Sequence, residues 1–439
     1  MDKEGNRRLS GFQELWGSRM VQRERIMNSI IEGFHLFGFQ PQVLPSLYLA
    51  ESLEKGSGMG EKMIYHFHDH GDRHIGLKFD HTIPLRDFVE RNFSNLSFPY
   101  KRYEVGNVWR ADKPGKGRFR EFAQMDVDIV GDDSVQADIE IASFIPIVMQ
   151  KIGVDVTVRL NSRKILSGLA ETGQVETENK QFAMFRAIDK FDKVGTDGVL
   201  RELEKYGFSK DILKLTKEYL NIKGSDDNVI SELQGLVGSS KSGKEGVERM
   251  KQVMRVIRDS GYKDEQFVLD PSIARGLDYY TGIIIETRFN PDPTYGSICS
   301  GGRYDNFIHN PTSGYAPAVG VSIGVDRLLA AMESTNLLHS AVTNTKVAFI
   351  NFGLDMLPEY SKLANSLRGL GISTEICQTD KKIKDQFGFI NKSNIPFAIA
   401  YGPEEAAKEV VKVKNMSTST EEEVKITDLP IFIQKKINE

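Results

Sequence analysis

The sequence has two cysteines in 439 residues, Cys299 and Cys377, far apart and without partners at metal-ligand spacing. That argues against a disulfide or zinc framework. No apolar run reaches the ~18 residues that span a bilayer, so no membrane partner is expected. The opening "MDKEGNRRLSGF" has charge but no apolar core, unlike a signal peptide, and a cytoplasmic protein is expected. No internal repeat or long low-complexity tract is visible. Nor is one sign of charge in excess: 57 basic against 61 acidic side chains leave −4, which is not a polycation that coats nucleic acid indiscriminately.

Charge is instead local. Residues 101–120, "KRYEVGNVWRADKPGKGRFR", hold seven basic and two acidic side chains with Tyr103, Trp109 and Phe119 among them, which reads as an anion-facing patch. The length predicts two or three domains. From Met20 to Phe37, Ile26, Ile30, Phe34 and Phe37 recur at helical spacing, and Gly38 can close the helix. "FQPQVLP" (39–45) reads as a short edge or interface strand broken at Pro45. "HIGLKF", "YKRYEVGNVWRA" and "FAQMDVDIVG" read as strands of an antiparallel sheet. From about 162 to 262 the chain turns helical and rich in Lys and Glu, like an insertion, after which "GIIIETRF" and "PAVGVSIGV" resume the sheet. Beyond a polar linker after Leu338, strands alternate with helices in the manner of a small α/β domain. The expected class is α+β with four segments: 1–161 and 263–338 as two parts of one core, 162–262 as a helical insertion, and 346–439 as a terminal α/β domain.

The chemistry-bearing stretches follow. In "VWRADKPGKGRFREFAQMDVDIVG", Arg110 and Asp112 share a strand face, and Phe122, Gln124 and Asp128 share one on the returning strand by their even spacing. Such a hairpin can offer arginines to phosphate, an aromatic ring to a base, and an amide with a carboxylate to a small polar substrate. A solvated basic hairpin is the plainer alternative. "ARGLDYYTG" (274–282) packs a cation, an anion and two phenols against the apolar "IIIE", where buried charges need partners. Lys190, Asp192 and Lys193 read as a solvated helix face. His66, His68 and His70 alternate in "HFHDH" and read as an exposed polar strand, with no metal site expected.

Five ordered stretches carry a family resemblance. "VWRADKPGKGRFREF" resembles motif 2 of the class II aminoacyl-tRNA synthetases, and "GVSIGVDRLL" (320–329) resembles their motif 3. "RGLDYYTG" and "GGRYD" (301–305) are similar to the two histidine-specific signatures of the histidyl-tRNA synthetase family, and "KFDHTIPL" (78–85) to its segment before motif 2. The tail resembles the anticodon-binding domain of class II enzymes. The resemblance implies an antiparallel core sheet with flanking helices, and formation of histidyl-adenylate from L-histidine and ATP with Mg2+, followed by transfer to the 3′ end of tRNA(His) by a homodimer. It also implies the residue roles. Arg275 and Arg110 would be catalytic. Asp80, His81, Thr82, Arg110, Gln124, Asp128, Arg275, Tyr279, Tyr280 and Tyr304 would bind histidine. Arg110, Asp112, Arg118, Phe122 and Arg327 would bind ATP. Asp278 has no role in the resemblance and is expected, from its place in the segment, to orient Arg275. No protein-bound metal is implied.

Three departures stand out. Lys78 replaces the usual Arg and loses its fork. The family's N-terminal "KGxRD" is only faintly echoed in "LSGFQEL", and Asp128 is the shorter acid found in archaeal and eukaryotic members. The rival is a non-catalytic paralogue of the family, a histidine-sensing regulatory subunit. Such paralogues lack the terminal domain and commonly lose the arginines that are present here.

Overall fold

The computed structural model describes residues 8–55, 63–274, 279–338, 343–378 and 381–438. The chain divides into two compact units, one built from Met1–Glu14 with Arg25–Leu338 and the other from Leu15–Glu24 with His339–Glu439.

The first unit is organised by an eight-stranded sheet of β1 (Gln40–Gln42), β2 (Tyr100–Trp109), β3 (Glu121–Val130), β4 (Val156–Ser162), β5 (Phe267–Leu269), β6 (Ile283–Phe289), β7 (Ser297–Arg303) and β8 (Ala318–Gly324), in the order β1-β2-β3-β8-β7-β6-β4-β5. The six central strands pair antiparallel, as expected. Both edges differ: β1 pairs parallel with β2, and β5 parallel with β4. These three-residue strands enter from distant chain segments rather than from a hairpin, so no turn dictates their direction. Pro41 is tolerated in β1 because that strand is an edge. "HIGLKF" joins a separate three-stranded sheet, where His74–Leu77 lies between Leu47–Leu49 and His66–His68.

Alternation along β3 separates two faces. Met125, Val127 and Ile129 are buried in the core with Phe144 and Val148 of the helix Val135–Lys151, while Gln124, Asp126 and Asp128 point the other way. Gly38, at φ +75°, follows the first helix, Gly17–Leu36. Six helices fill 163–259, from Arg163–Thr172 to Lys241–Asp259, and their Leu166, Met184, Tyr219 and Met250 belong to the same buried cluster as the sheet.

The second unit has a five-stranded sheet in which Thr374–Ile376, Val347–Ile350 and Phe397–Ala400 run parallel, and Val410–Asn415 and Glu421–Lys425 continue it antiparallel. The acidic "EEEVK" forms a strand because Lys412 and Lys414 stand opposite Glu423 and Glu421 and Val424 is buried. No described helix is long and apolar enough to cross a membrane.

Candidate functional site

The polar face of the central sheet is built in rows of directly opposed residues. One row runs Glu104, Asp126, Ser322, Ser300, Glu286, Arg159 across six strands; the next runs Arg102, Asp128, Gly320, Gly302. A third pairs Gly106, Gln124 and Gly324. Buried charges thus sit beside small residues, which leaves an open trough. Over it lies a cleft of about 280 Å3 whose walls include Asp80, Thr82, Arg110, Asp112, Arg118, Phe122, Gln124, Asp126, Tyr279, Tyr280 and Arg327.

One end of the cleft is cationic. The half-buried Arg110 donates from Nε to the Phe79 carbonyl at 2.8 Å and from Nη2 to Gln124 Oε1 at 2.8 Å, and its guanidinium lies 5.2 Å from the Phe122 ring centre. Arg118 is exposed on the loop between β2 and β3, 3.7 Å from Asp112. Arg327 enters from the helix Val325–Ser334, donating to Ser297 O at 2.8 Å and Gly117 O at 3.3 Å. The loop is tied down through Lys116, which reaches Asp292 and Thr294 at 2.9 Å and lies 4.1 Å over the Tyr295 ring.

The other end is acidic. Asp80 is buried, and burial lifts its pKa to about 6 although the Ile83 N–H and Arg110 oppose it. Its Oδ1 accepts from the Ile83 N–H at 3.2 Å while Oδ2 has no hydrogen-bond partner, leaving an acceptor beside the cleft. Asp126 accepts from Ser322 Oγ at 2.5 Å and from Gln124 Nε2 at 3.3 Å. Tyr279 and Tyr280 line the cleft with hydroxyls whose ionisation burial and neighbouring acids push upward, so both are phenols and can donate. A Thr82 hydroxyl bonds Tyr279.

Three residues singled out in the sequence lie outside the cleft wall. Asp128, two positions beyond Asp126 on the same strand face and so about 7 Å further, is enclosed by the Tyr304 hydroxyl on Oδ1 and by Arg102 Nη2, 2.8 Å from Oδ2. Burial lifts its pKa to about 6, chiefly against Arg102. Tyr304 is buried beside it, and a Cβ at Gly320 would stand 2.0 Å from Asp128 Oδ1, so only glycine fits across from this acid. His81 is fully buried and its Nδ1 lies 3.0 Å from Glu104. Arg275 and Asp278 lie outside the described residues.

Three expectations change. The basic stretch 101–120 is not one ligand-facing patch: Lys101 pairs with Glu140, and Arg102 is fully buried against Asp128 and Glu104. Asp192 is not merely solvated, since both its oxygens reach Arg159, at 2.7 and 3.3 Å. His70 takes no part in the histidine strand; His74, from the neighbouring strand, sits 2.9 Å from His66 and stacks on His68. Sequence reasoning also missed Asp126, Ser322 and Glu286 in the wall. For Asp126 the signal was available, since 124, 126 and 128 share one parity. Ser322 and Glu286 became visible only through strand register.

A family model described as histidyl-tRNA synthetase matches residues 11–328, and one described as anticodon binding domain matches 346–436. The chain belongs to the histidyl-tRNA synthetase family. Similar curated members of it include the histidine–tRNA ligase of Clostridium tetani, 37% identical with 96% of each chain covered, and that of Rhodopirellula baltica, 36% identical with 95% of each covered. Among solved structures, the histidyl-tRNA synthetase of Nostoc sp. PCC 7120 superposes with a TM-score of 0.89 at 28% identity, covering 99% of this chain and 100% of that one. The family model takes in every strand of the eight-stranded sheet and the cleft above it, and the second model begins at the second unit's first strand.

Proposed function

We propose that the chain is a histidine–tRNA ligase: it joins L-histidine to ATP as histidyl-adenylate and passes the histidyl group to the 3′ end of tRNA(His). The observation that carries this reading is the polarity of the cleft, three arginines at one end and acids with phenols at the other. Attack of a carboxylate on the α-phosphate brings two anions together, and cations fixed in advance stabilise the charge that develops. In this reading Arg110 holds the α-phosphate, Arg118 and Arg327 the outer phosphates, Phe122 stacks on adenine, and Asp112 steadies Arg118. Arg275 is assigned to the substrate carboxylate by its motif alone. Mg2+ arrives with the ATP phosphates.

At the acidic end, the unpartnered Asp80 Oδ2, with Thr82 and Gln124, takes the α-ammonium. The imidazole presents a donor and an acceptor on opposite edges, which Asp128 and the Tyr280 hydroxyl match; Tyr279 and Tyr304 pack around it. Such a site rejects analogues that leave its own polar groups unpaired. The regulatory paralogue gains no support, because Arg110, Arg118 and Arg327 line the cleft and the terminal domain is present.

The protein works as a homodimer in the cytoplasm, in this reading. Leu47, Leu49 and Phe67 are exposed on one small sheet, with Leu36 and the 86% exposed Val43 flanking the open edge of β1, an apolar surface of the kind that marks interfaces. The test is histidine-dependent exchange of labelled pyrophosphate into ATP. Exchange, followed by charging of tRNA(His), is expected; a folded protein without exchange overturns the reading.

A further inference from the structure

Behind the acidic end of the cleft lies a set of ionised groups that the proposed chemistry does not use. Arg102, with 0% exposure, stands directly opposite Asp128 across β2 and β3, and its Nη2 comes within 2.8 Å of Oδ2. That approach is an ion pair without hydrogen-bond alignment, so Oδ2 keeps its acceptor capacity. Arg102 Nη2 also donates to the His81 carbonyl at 3.2 Å, and Nη1 to Glu104 Oε2 at 3.3 Å. Glu104 in turn takes Lys78 Nζ at 2.7 Å and the Leu44 N–H at 3.3 Å on Oε1. Lys78 closes the set by donating to the Leu44 carbonyl at 3.2 Å, and Gly106 leaves room for its ammonium and for the His81 ring. Lys78 is therefore no substrate contact; it holds Glu104 from behind. Burial alone would raise Glu104, yet His81, Arg102 and Lys78 hold it down at about 2.

We propose that Arg102 is a positioning residue which keeps the buried Asp128 ionised and aimed at the histidine imidazole, and that Glu104 and Lys78 fix Arg102 in that place. The proposal rests on the reading of Asp128 as the imidazole's acceptor. The groups facing Asp128 come from the elements around it: Arg102 and Tyr100 from β2, Asp126 on its own strand, His81 from the start of the helix Thr82–Asn92, Tyr279 and Tyr280 from just before β6, and Tyr304 from just after β7. Arg102 is the cation in direct contact among them. The acid is buried away from solvent, and the Tyr304 hydroxyl donates to it without neutralising it. Without Arg102 the carboxyl takes up a proton more readily, and a protonated Asp128 is no longer a pure acceptor.

The experiment is steady-state pyrophosphate exchange by the full-length protein across pH 5–8, with Arg102→Met, Arg102→Lys, Asp128→Asn and the double variant Arg102→Met/Asp128→Asn. Arg102→Met is expected to raise the KM for histidine by about tenfold or more while leaving the KM for ATP within about twofold. It should also move the acid limb of kcat/KM for histidine to higher pH. Arg102→Lys, which retains the charge, should recover part of both effects. Free histidine titrates identically in every assay, so a displaced limb belongs to the protein. The double variant, in which both ends are neutral, should bind histidine no worse than Asp128→Asn alone. Should Arg102→Met fail to fold, that last comparison still decides. A further rise in histidine KM on top of Asp128→Asn, or an unmoved limb with both KM values raised together, overturns the role of Arg102. If Asp128→Asn leaves the histidine KM unchanged, the reading of Asp128 itself fails.

Discussion

Asp138 offers the sharpest test of how the site is held. It is fully buried in the helix Val135–Lys151 and accepts from two arginines, Arg303 Nε on Oδ1 and Arg249 Nε on Oδ2, each at 2.7 Å. Arg303 belongs to the "GGRYD" signature, but it faces this helix rather than a substrate: it also bonds Asp305 at 3.0 Å and the Asp132 and Ser134 carbonyls at 3.0 and 3.3 Å. Replacing Asp138 by Asn keeps the shape and removes the charge. Arg249 has 27% of its side chain exposed and can turn to water, whereas Arg303 has 5% and cannot. Breaking a buried pair by removing one partner costs about 3–5 kcal/mol. Because Arg303 keeps Asp305 and two carbonyls, the lower end, about 3 kcal/mol, is the expected loss. At roughly 2 °C per kcal/mol for a unit of this size, the melting temperature should fall by about 5 °C or more. Tyr304 is the next residue, so the KM for histidine should rise as well. Thermal unfolding by calorimetry is the assay, and Arg303→Met on the Asp138→Asn background should recover part of the loss. A melting temperature within 1 °C of the parent for Asp138→Asn would refute the reasoning, since it would mean that Arg303 needs no buried counter-charge.

Other outcomes follow from the same geometry. Asp80 and Asp128, both lifted to about 6 by burial, are carboxylates above that pH and protonated below it, so kcat/KM for histidine, after correction for the titration of free histidine's own imidazole, should still fall as pH drops through 6; a corrected profile flat to pH 5 sinks this. Arg110→Ala removes the cation that bonds Phe79 O and Gln124 Oε1, and adenylate formation measured by exchange should drop by about 100-fold or more, with a drop under tenfold counting against it. Asp292→Asn frees Lys116 and with it the loop that presents Arg118; the KM for ATP should rise by about threefold with an unchanged melting temperature, because the pair is exposed.

The run of helices over 163–259, the central hairpin and the α/β alternation of the tail were readable because each is local: helical period, strand alternation and turn residues act within a dozen positions. The paired edges were not, since β1 with β2 and β5 with β4 join segments some 60 and 110 residues apart and no local pattern encodes a parallel partner. The same division runs through the site. Parity along β3 pointed to Gln124 and Asp128, but parity says nothing about what stands across the strand, and that decides the chemistry of each acid. Asp126 faces Glu104, a like charge, and is stabilised by Ser322; Asp128 faces Arg102.

That difference explains why a stretch with seven basic residues was misread as one patch. Residues an even number apart along a strand share its face, so Arg102 in β2 and Arg110, the residue just past its end, lie on the same polar side, eight residues or about 27 Å apart along a fully extended chain. Arg110 stands at the strand's end, where the sheet opens into the cleft, and meets carbonyl and amide oxygens with its charge left for a ligand. Arg102 stands further along the strand and is fully buried, and a cation there must be matched by carboxylates of the protein itself. Asp128 and Glu104 supply them. A site that reads an α-ammonium with an imidazole N–H and an anionic nucleotide needs both signs of charge at high density. The sheet separates them by position along one strand, and the match at Arg102 leaves Asp128 ionised without leaving it exposed.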